Sequence, residues 1–391
     1  MTFYSPWRHL PSIFRKGRPI QLTFFVTRDC NAKCPWCFYL RSADGMDAGG
    51  VELSLDEIRK ISRSLGRLLW VAFSGGEVFL RDDLVEISGA FHDQNRPSVL
   101  LFPTNGLLPE RVHDQTEEIL KRCPNSVIVV KVSIDGVGAS HDVLRGSPGG
   151  FEKAMETHRL LGELAGDYVN LELGINTVFC SDNQDRMAEI IDFVGGLETA
   201  GTHTISAVRG NLIEQRYKNI DIEKYRHAAD RLETNLRSGA TGVHRFTGSR
   251  LKAAQDILQR RLIHRTLSED RRLVPCYSGR LSLVLSESGE VYPCEILKSS
   301  FGNLRDFGHD MRKLLRSERA RAAIRPITEG ACHCTHECNF INNILFNPRL
   351  YPALIKEWFK LNGLRPAPQA PPPSPETASC RPSTRANSAG P

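Results

Sequence analysis

Phe24-Phe25-Val26-Thr27-Arg28-Asp29-Cys30-Asn31-Ala32-Lys33-Cys34-Pro35-Trp36-Cys37 is the stretch that decides the fold of this chain. An apolar, β-like run over residues 20–26 leads into three cysteines spaced C-x3-C-x2-C. Three thiolates on one tight loop can hold three irons of a cubane cluster and leave the fourth without a protein ligand. Such an open coordination position serves metal catalysis, whereas a structural site closes it.

Two other readings compete. A zinc site prefers paired C-x2-C or C-x4-C ligands with a fourth partner. A disulfide framework needs an exported chain, and residues 1–21 are basic and interrupted by Pro6, Pro11 and Pro19, without the apolar core of a signal peptide. Eleven cysteines in such a chain read as reduced thiols of a cytoplasmic protein, some of them holding metal. The 391 residues suffice for one large domain and a smaller one, and no stretch has the length and apolarity of a membrane span. A net charge of +6, with no dense basic block interleaved with aromatics, gives no reason to expect nucleic acid. The aromatic and basic segment 6–16 is expected to pack beside the core rather than on a membrane, because prolines interrupt any helix there.

Strand-like runs at 20–26, 69–73, 99–102, 127–134, 171–178 and 204–208 alternate with helical periodicities starting near Ser54, Asp83, Glu110, Phe151 and Asp185. Alternation of this kind predicts right-handed βαβ units, a parallel sheet, and chemistry at the carboxyl ends of the strands. Six units fall short of a full eightfold barrel, and periodicity alone also permits an open doubly wound sheet. Two further helices are expected over 221–237 and 249–267, then a cysteine-rich segment. The expected parts are an N-terminal extension (1–19), a core (20–215), a helical bridge (216–269), a cysteine-rich domain (270–348), a C-terminal helix (349–365) and a Pro/Ser-rich disordered tail (366–391) containing Cys380.

Three motifs follow the cysteine loop at successive strand ends. They are Ser74-Gly75-Gly76-Glu77, then Thr104-Asn105-Gly106, then Ser133-Ile134-Asp135-Gly136 with His141-Asp142 and Arg145-Gly146 downstream. With Trp36 just before the last cysteine of the loop, this series resembles the radical S-adenosylmethionine (SAM) enzymes, and implies a partial (β/α)6 TIM-like barrel within the α/β class. The resemblance implies a [4Fe–4S] cluster on Cys30, Cys34 and Cys37. It also implies SAM contacts from Gly75, Gly76 and Glu77 at the amino group, and from Ser133 and Arg145 at the carboxylate or ribose. Asn176 and Thr177 are candidates for the ribose, and Arg209 for cofactor or substrate.

Beyond the core stand Cys276, Cys294, Cys332, Cys334 and Cys338, with Gly289-Glu290-Val291-Tyr292-Pro293-Cys294 reading as a turn, a strand and a ligand. The Cys/His content of 332–338 also suits zinc. The layout resembles the SPASM module or its shorter twitch form. Five cysteines imply a twitch-like domain with one auxiliary [4Fe–4S] cluster, held by Cys276, Cys294 and Cys338 with either Cys334 or Cys332 as fourth ligand. Cys123 and Cys180 read as buried small apolar residues.

The resemblance implies one-electron cleavage of SAM, driven by a flavodoxin- or ferredoxin-type donor, to a 5′-deoxyadenosyl radical that takes hydrogen from a substrate. The expected activity is an oxidoreductase acting on a small-molecule or sugar alcohol. Only 29 residues precede Cys30, fewer than the peptide-binding winged helix of many peptide-modifying relatives requires. Peptide or protein modification, and a non-catalytic metal-binding scaffold, are the alternatives.

Overall fold

Residues along the strands alternate between two apolar environments, and this alternation builds the architecture. A computed structural model describes residues 3–40, 50–197, 199, 201–238, 248–330 and 332–361. Six parallel strands, β1 (Gln21–Thr27), β2 (Trp70–Gly75), β3 (Val99–Thr104), β4 (Val127–Ser133), β5 (Leu171–Phe179) and β6 (Thr202–Ala207), lie side by side in chain order. The helices between them are α1 (Leu55–Ser64), α2 (Leu84–Asn95), α3 (Pro109–Arg122), α4 (Ala139–Arg145), α5 (Gly150–Asp167) and α6 (Met187–Gly195). A doubly wound sheet would reverse its strand order part-way. The unbroken order is that of a partial barrel, as expected from the resemblance.

One face of each strand packs on the helices. Leu22, Phe24, Val71, Phe73, Leu100, Phe102, Ile128, Val130, Leu173 and Ile175 belong to the main core. Ser54 starts α1 with a complete capping box, its side chain accepting from Glu57 while the Glu57 carboxylate returns to the Ser54 backbone. The opposite strand faces look into a lumen.

β6 does not pair with β1, so the barrel stays open. The free edge of β1 is taken in parallel by β7 (Ser282–Leu285), followed by antiparallel β8 (Glu290–Tyr292) and β9 (Gly302–Asn303), giving a nine-stranded sheet. The C-terminal region thus continues the barrel's own sheet. Two bridging helices, α7 (Ile222–Ser238) and α8 (Ser249–Glu269), precede β7, and α9 (Met311–Leu315), α10 (Glu318–Thr328), α11 (Glu337–Leu345) and α12 (Tyr351–Lys360) complete the described chain. Residues of α8 and α11 line the open side of the lumen. The N-terminal segment forms a 3₁₀ helix over Pro6–Ile13, and its Trp7, His9, Leu10 and Ile13 meet the lumen together with Leu69, Ser98, Val99 and Val127 at the amino ends of the strands. It lies across the bottom of the barrel rather than beside it. The tail 366–391, with Cys380, lies outside the described residues. Among the described residues no helix is long and apolar enough to cross a membrane.

Candidate active site

The cysteine loop leaves the carboxyl end of β1 and is held from below by residues with no motif of their own. Glu52 accepts from the Thr27 hydroxyl at 2.8 Å and the Arg28 backbone N–H at 2.9 Å. Arg81 donates to the carbonyls of Val26 at 2.7 Å and Leu53 at 2.6 Å and reaches Glu52 at 3.2 Å. Tyr39 donates to Glu287, which also pairs with Arg28 at 3.3 Å, so the loop is tied to the C-terminal region as well.

Cys30, Cys34 and Cys37 are free thiols at this strand end. Burial pushes the Cys30 thiol up to about 11, and the neighbouring Cys34 and Cys37 add to the rise. Burial also raises Cys34, opposed by the Arg145 guanidinium. Two thiols kept from ionising by burial, with the Cys37 thiol on the same loop, suit a cationic iron centre that takes them as thiolates. Trp36 lies between them, and its buried indole N–H has no hydrogen-bond partner. A donor left orphaned on the lumen wall is the second sign that the site accepts a ligand. The residues present therefore fit the cluster and SAM. Among the described residues, no three His, Cys, Asp or Glu side chains converge on a single-ion geometry.

The Gly75-Gly76-Glu77 turn lies against this loop, although its side-chain positions face protein. A Cβ on Gly75 (φ +130°) would sit 2.3 Å from the Thr27 carbonyl, and one on Gly76 2.0 Å from the Asp29 carbonyl. The glycines are required because two strand ends approach this closely. Glu77 is almost fully buried, accepting the backbone N–H of Asn105 at 2.7 Å and of Phe79 at 3.3 Å. Burial raises its pKa, and the Asn105 N–H opposes the rise. Its carboxylate is spent on the protein, so an ammonium group at this turn would meet backbone carbonyls instead. Asn105 passes the connection on, its amide donating to Asn31 Oδ1 at 2.7 Å and approaching Cys30 Sγ at 3.9 Å.

Arg145 is brought to the same place from the next strand crossover. It pairs with buried Asp135 at 2.5 Å, and its guanidinium lies 5.7 Å from the centre of the Trp36 ring. The other Asp135 oxygen accepts the Val178 N–H at 2.7 Å, locking β4 to β5. The Asp135 backbone N–H donates to His141 Nδ1 at 3.2 Å, which makes Nδ1 an acceptor, and burial lowers the His141 pKa to about 4. Gly146 (φ +60°) packs against the Lys33 carbonyl, 3.1 Å from where its Cβ would be. Ser133 and Asn176 are direct partners across β4 and β5, and Asn176 lines the lumen. Thr177 points the other way, its hydroxyl bonded to the Ile134 carbonyl at 2.5 Å and lying 2.8 Å from His203 Nε2. It has no face toward a cofactor.

Arg209 is held in ion pairs, while it lines the lumen with its buried Nε unpartnered. It pairs with Glu295 and Glu337, each at 3.2 Å, and stands over the Phe38 ring, joining β6, the cysteine loop and the C-terminal region. His336 is 3.0 Å from Glu295. Burial opposes charge on His336, but the Glu295 carboxylate outweighs it and holds the pKa well above the usual value.

The C-terminal cysteines divide into two settings. Burial pushes the Cys294 thiol up to about 12, with Cys334 and Cys276 adding to the rise, and Cys334 is in turn influenced by Cys276 and Cys332. The Arg272 guanidinium donates to Cys332 Sγ at 3.2 Å. Cys338, in the first turn of α11, borders the lumen near His336. Cys123 is buried in the main core, as expected. Cys180 is also buried, yet it packs with Cys34 and Trp36 behind the cysteine loop, a proximity that spacing in the sequence does not reveal.

A lumen of about 690 Å³ runs down from this ring. Its walls are mainly apolar, with Trp70, Leu101, Val129, Val178, Ile341 and Phe346 among them, and its charged groups are Lys131, Lys252, Asp256 and the Arg209 network, with small polar side chains such as Thr23, Ser74, Asn176, Thr204 and Ser206 between them.

A three-cysteine loop at the carboxyl end of β1, backed by polar residues on the following strand ends and opening on an enclosed chamber, defines a strand-end metal and cofactor site of an α/β part-barrel enzyme. Residues 24–194 match the family model described as the Radical SAM superfamily. The barrel thus carries a radical SAM domain, and the relatives of the chain are radical SAM enzymes, a family that works with a [4Fe–4S] cluster and SAM. Among curated relatives it is 26% identical to the AdoMet-dependent heme synthase of Nitratidesulfovibrio vulgaris, over 77% of this chain and 81% of that one. It is 25% identical to the antilisterial bacteriocin subtilosin biosynthesis protein AlbA of Bacillus subtilis, over 75% of this chain and 58% of that one. The solved structure described as native anSMEcpe with bound AdoMet shares the fold with a TM-score of 0.56 and 18% identity, covering 88% of this chain and 97% of that one.

Proposed function

We propose that the chain is an oxidoreductase that cleaves SAM and directs the resulting radical at a small molecule held in the barrel lumen. The observation that carries this reading is the placement of the three free thiols, with Arg145 and the orphaned Trp36 N–H beside them, at the mouth of an enclosed chamber. Cys30, Cys34 and Cys37 would hold the cluster, Arg145 and Ser133 would face the carboxylate or ribose of SAM, and Asn176 would stand opposite Ser133. Gly75, Gly76 and Glu77 would set the loop's position, with only the turn's backbone in reach of the amino group. When bound, the cluster and an electron from a low-potential donor of the flavodoxin or ferredoxin kind supply reductive cleavage of SAM to methionine and a 5′-deoxyadenosyl radical, which takes a hydrogen atom from the substrate.

The C-terminal cysteines fit an auxiliary [4Fe–4S] cluster. The grouping of Cys276, Cys294 and Cys334, with Cys332 next to Cys334, supports those four as its ligands and leaves Cys338 at the lumen wall. This departs from the set implied by the resemblance, which included Cys338. An auxiliary cluster there could accept the electron left on the substrate, making the net reaction an oxidation.

The lumen's lining is mainly apolar, with polar side chains spaced among the apolar ones. A polyhydroxylated ring would set some hydroxyl groups against apolar wall, at about 1–3 kcal/mol for each left without a partner. A small molecule with an apolar body fits the walls better. The second reading is a peptide substrate, favoured by the bacteriocin-maturing relative AlbA.

The test is anaerobic reconstitution with iron and sulfide, followed by dithionite and SAM. About eight irons per chain and release of 5′-deoxyadenosine are expected. Absence of 5′-deoxyadenosine would overturn the enzymatic reading, and zinc in place of the second cluster would overturn the auxiliary one.

A further inference from the structure

In the upper part of the lumen, one side chain is out of keeping with its apolar walls. Lys131 stands on β4 two residues before Ser133, so both share the lumen face and Lys131 lies one layer further from the cysteine loop. Its ammonium donates to the Thr204 hydroxyl on β6.

Among the described residues the lumen is lined by three Lys or Arg side chains, and two are already neutralised. Arg209 pairs with Glu295 and Glu337. Lys252 pairs with Asp256 one helical turn along α8. Among the described residues no carboxylate lies within ion-pair distance of Lys131. Burial lowers its pKa to about 8, the repulsion of Lys252 acting in the same direction and Asp256 against it. A lysine kept in an apolar chamber with one neutral partner is costly unless something else meets its charge. A hydroxyl partner satisfies one of its three donors.

We propose that Lys131 is the anchor for a single carboxylate on an otherwise apolar substrate, with Thr204 beside it and the hydrocarbon body lying against Leu101, Val129 and Trp70 toward the amino ends of the strands. This rests on the reading of the lumen as the substrate chamber. It specifies the substrate class as an amphipathic carboxylic acid, and it places the carboxylate end, not the hydrocarbon end, nearer to the cysteine loop. Binding energy gained along the hydrocarbon body holds the carboxylate end in position.

The experiment uses the reconstituted, SAM-bound full chain and needs no turnover, so its failure is distinct from a failure to cleave SAM. N-phenyl-1-naphthylamine, an uncharged apolar dye, reports lumen occupancy by its fluorescence, and decanoate and decanol compete with it. Decanoate is expected to displace the dye at a concentration at least tenfold below that of decanol. Lys131→Met should bind the dye and abolish the preference, whereas Lys131→Arg should retain it. Equal displacement by the two competitors in the natural chain would overturn the proposal, and so would a preference that persists in Lys131→Met. Should Lys131→Met fail to fold, the decanoate-to-decanol ratio in the natural chain and in Lys131→Arg still decides.

Discussion

The Glu77 carboxylate accepts the backbone N–H of Asn105 at 2.7 Å, linking the ends of β2 and β3 beneath the cysteine loop. Since the Asn105 side chain holds Asn31, the carboxylate acts on the loop through a backbone it does not belong to. Glu77→Ala would leave two backbone N–H groups without acceptors, both in the interior, at a cost of about 1–3 kcal/mol each. The thermal midpoint should fall by several degrees, and the iron retained after reconstitution should fall with it. A variant with unchanged iron content and unchanged midpoint would show that the carboxylate does not position the loop.

The glycine turn gives a sharper contrast. At Gly76 an added Cβ would meet the Asp29 carbonyl at 2.0 Å, which only movement of the cysteine loop could relieve. At Gly138 (φ +58°) an added Cβ meets nothing within 4 Å, so alanine there costs only the backbone strain, about 1–3 kcal/mol. Gly76→Ala should therefore lose most of the iron held by the N-terminal cysteines, while Gly138→Ala keeps it. Iron and sulfide analysis of both variants, with circular dichroism as a check on folding, separates the two outcomes.

The features legible in the sequence are those written in local pattern. The alternating strands, the Ser54 cap, the cysteine spacing and the turn at Gly289 were all readable because each depends on neighbours within a few residues. Glu52, Arg81 and Asp135 were not singled out, because a buried carboxylate or guanidinium acquires its role only when distant strand ends meet. The same holds for Lys131: on a strand of Val and Ile it reads as an interruption, and only the open barrel shows that it faces a chamber. The pairing of β7 with β1 was also hidden, since four apolar residues carry no mark of the edge they will join.

The C-terminal cysteines make a third prediction, with a built-in comparison. Cys276→Ala, Cys294→Ala and Cys334→Ala should each lower the iron content from about eight to about four per chain. Cys338→Ala should keep about eight, because its thiol faces the lumen beside His336. Loss of four irons from Cys338→Ala instead would return this residue to the ligand set. Cys30→Ala, Cys34→Ala or Cys37→Ala should remove the other four irons and abolish 5′-deoxyadenosine formation.

The last prediction concerns how α7, α8 and α12 are held together. Glu357 on α12 meets Arg237 of α7 at 2.7 Å, Arg261 of α8 at 2.9 Å and Lys360 at 3.1 Å. Burial alone would raise its pKa, but hydrogen bonds from Lys360 and Arg261, reinforced by Arg237, outweigh burial and bring it down to about 2. A carboxylate whose folded pKa lies below its unfolded value of about 4.5 stabilises the fold fully above that value. The contribution is lost as the pH falls from there toward 2. Solvent screening of the arginines keeps it to about 1 kcal/mol. At pH 6.5 Glu357→Gln should therefore melt a few degrees below the natural chain. At pH 3.5 the gap should narrow, because the natural glutamate is by then partly protonated in the unfolded chain. Any acid loss of clusters affects both chains equally and cancels in the difference. A gap that stays constant between pH 6.5 and 3.5 would mean that Glu357 contributes by packing and not by charge.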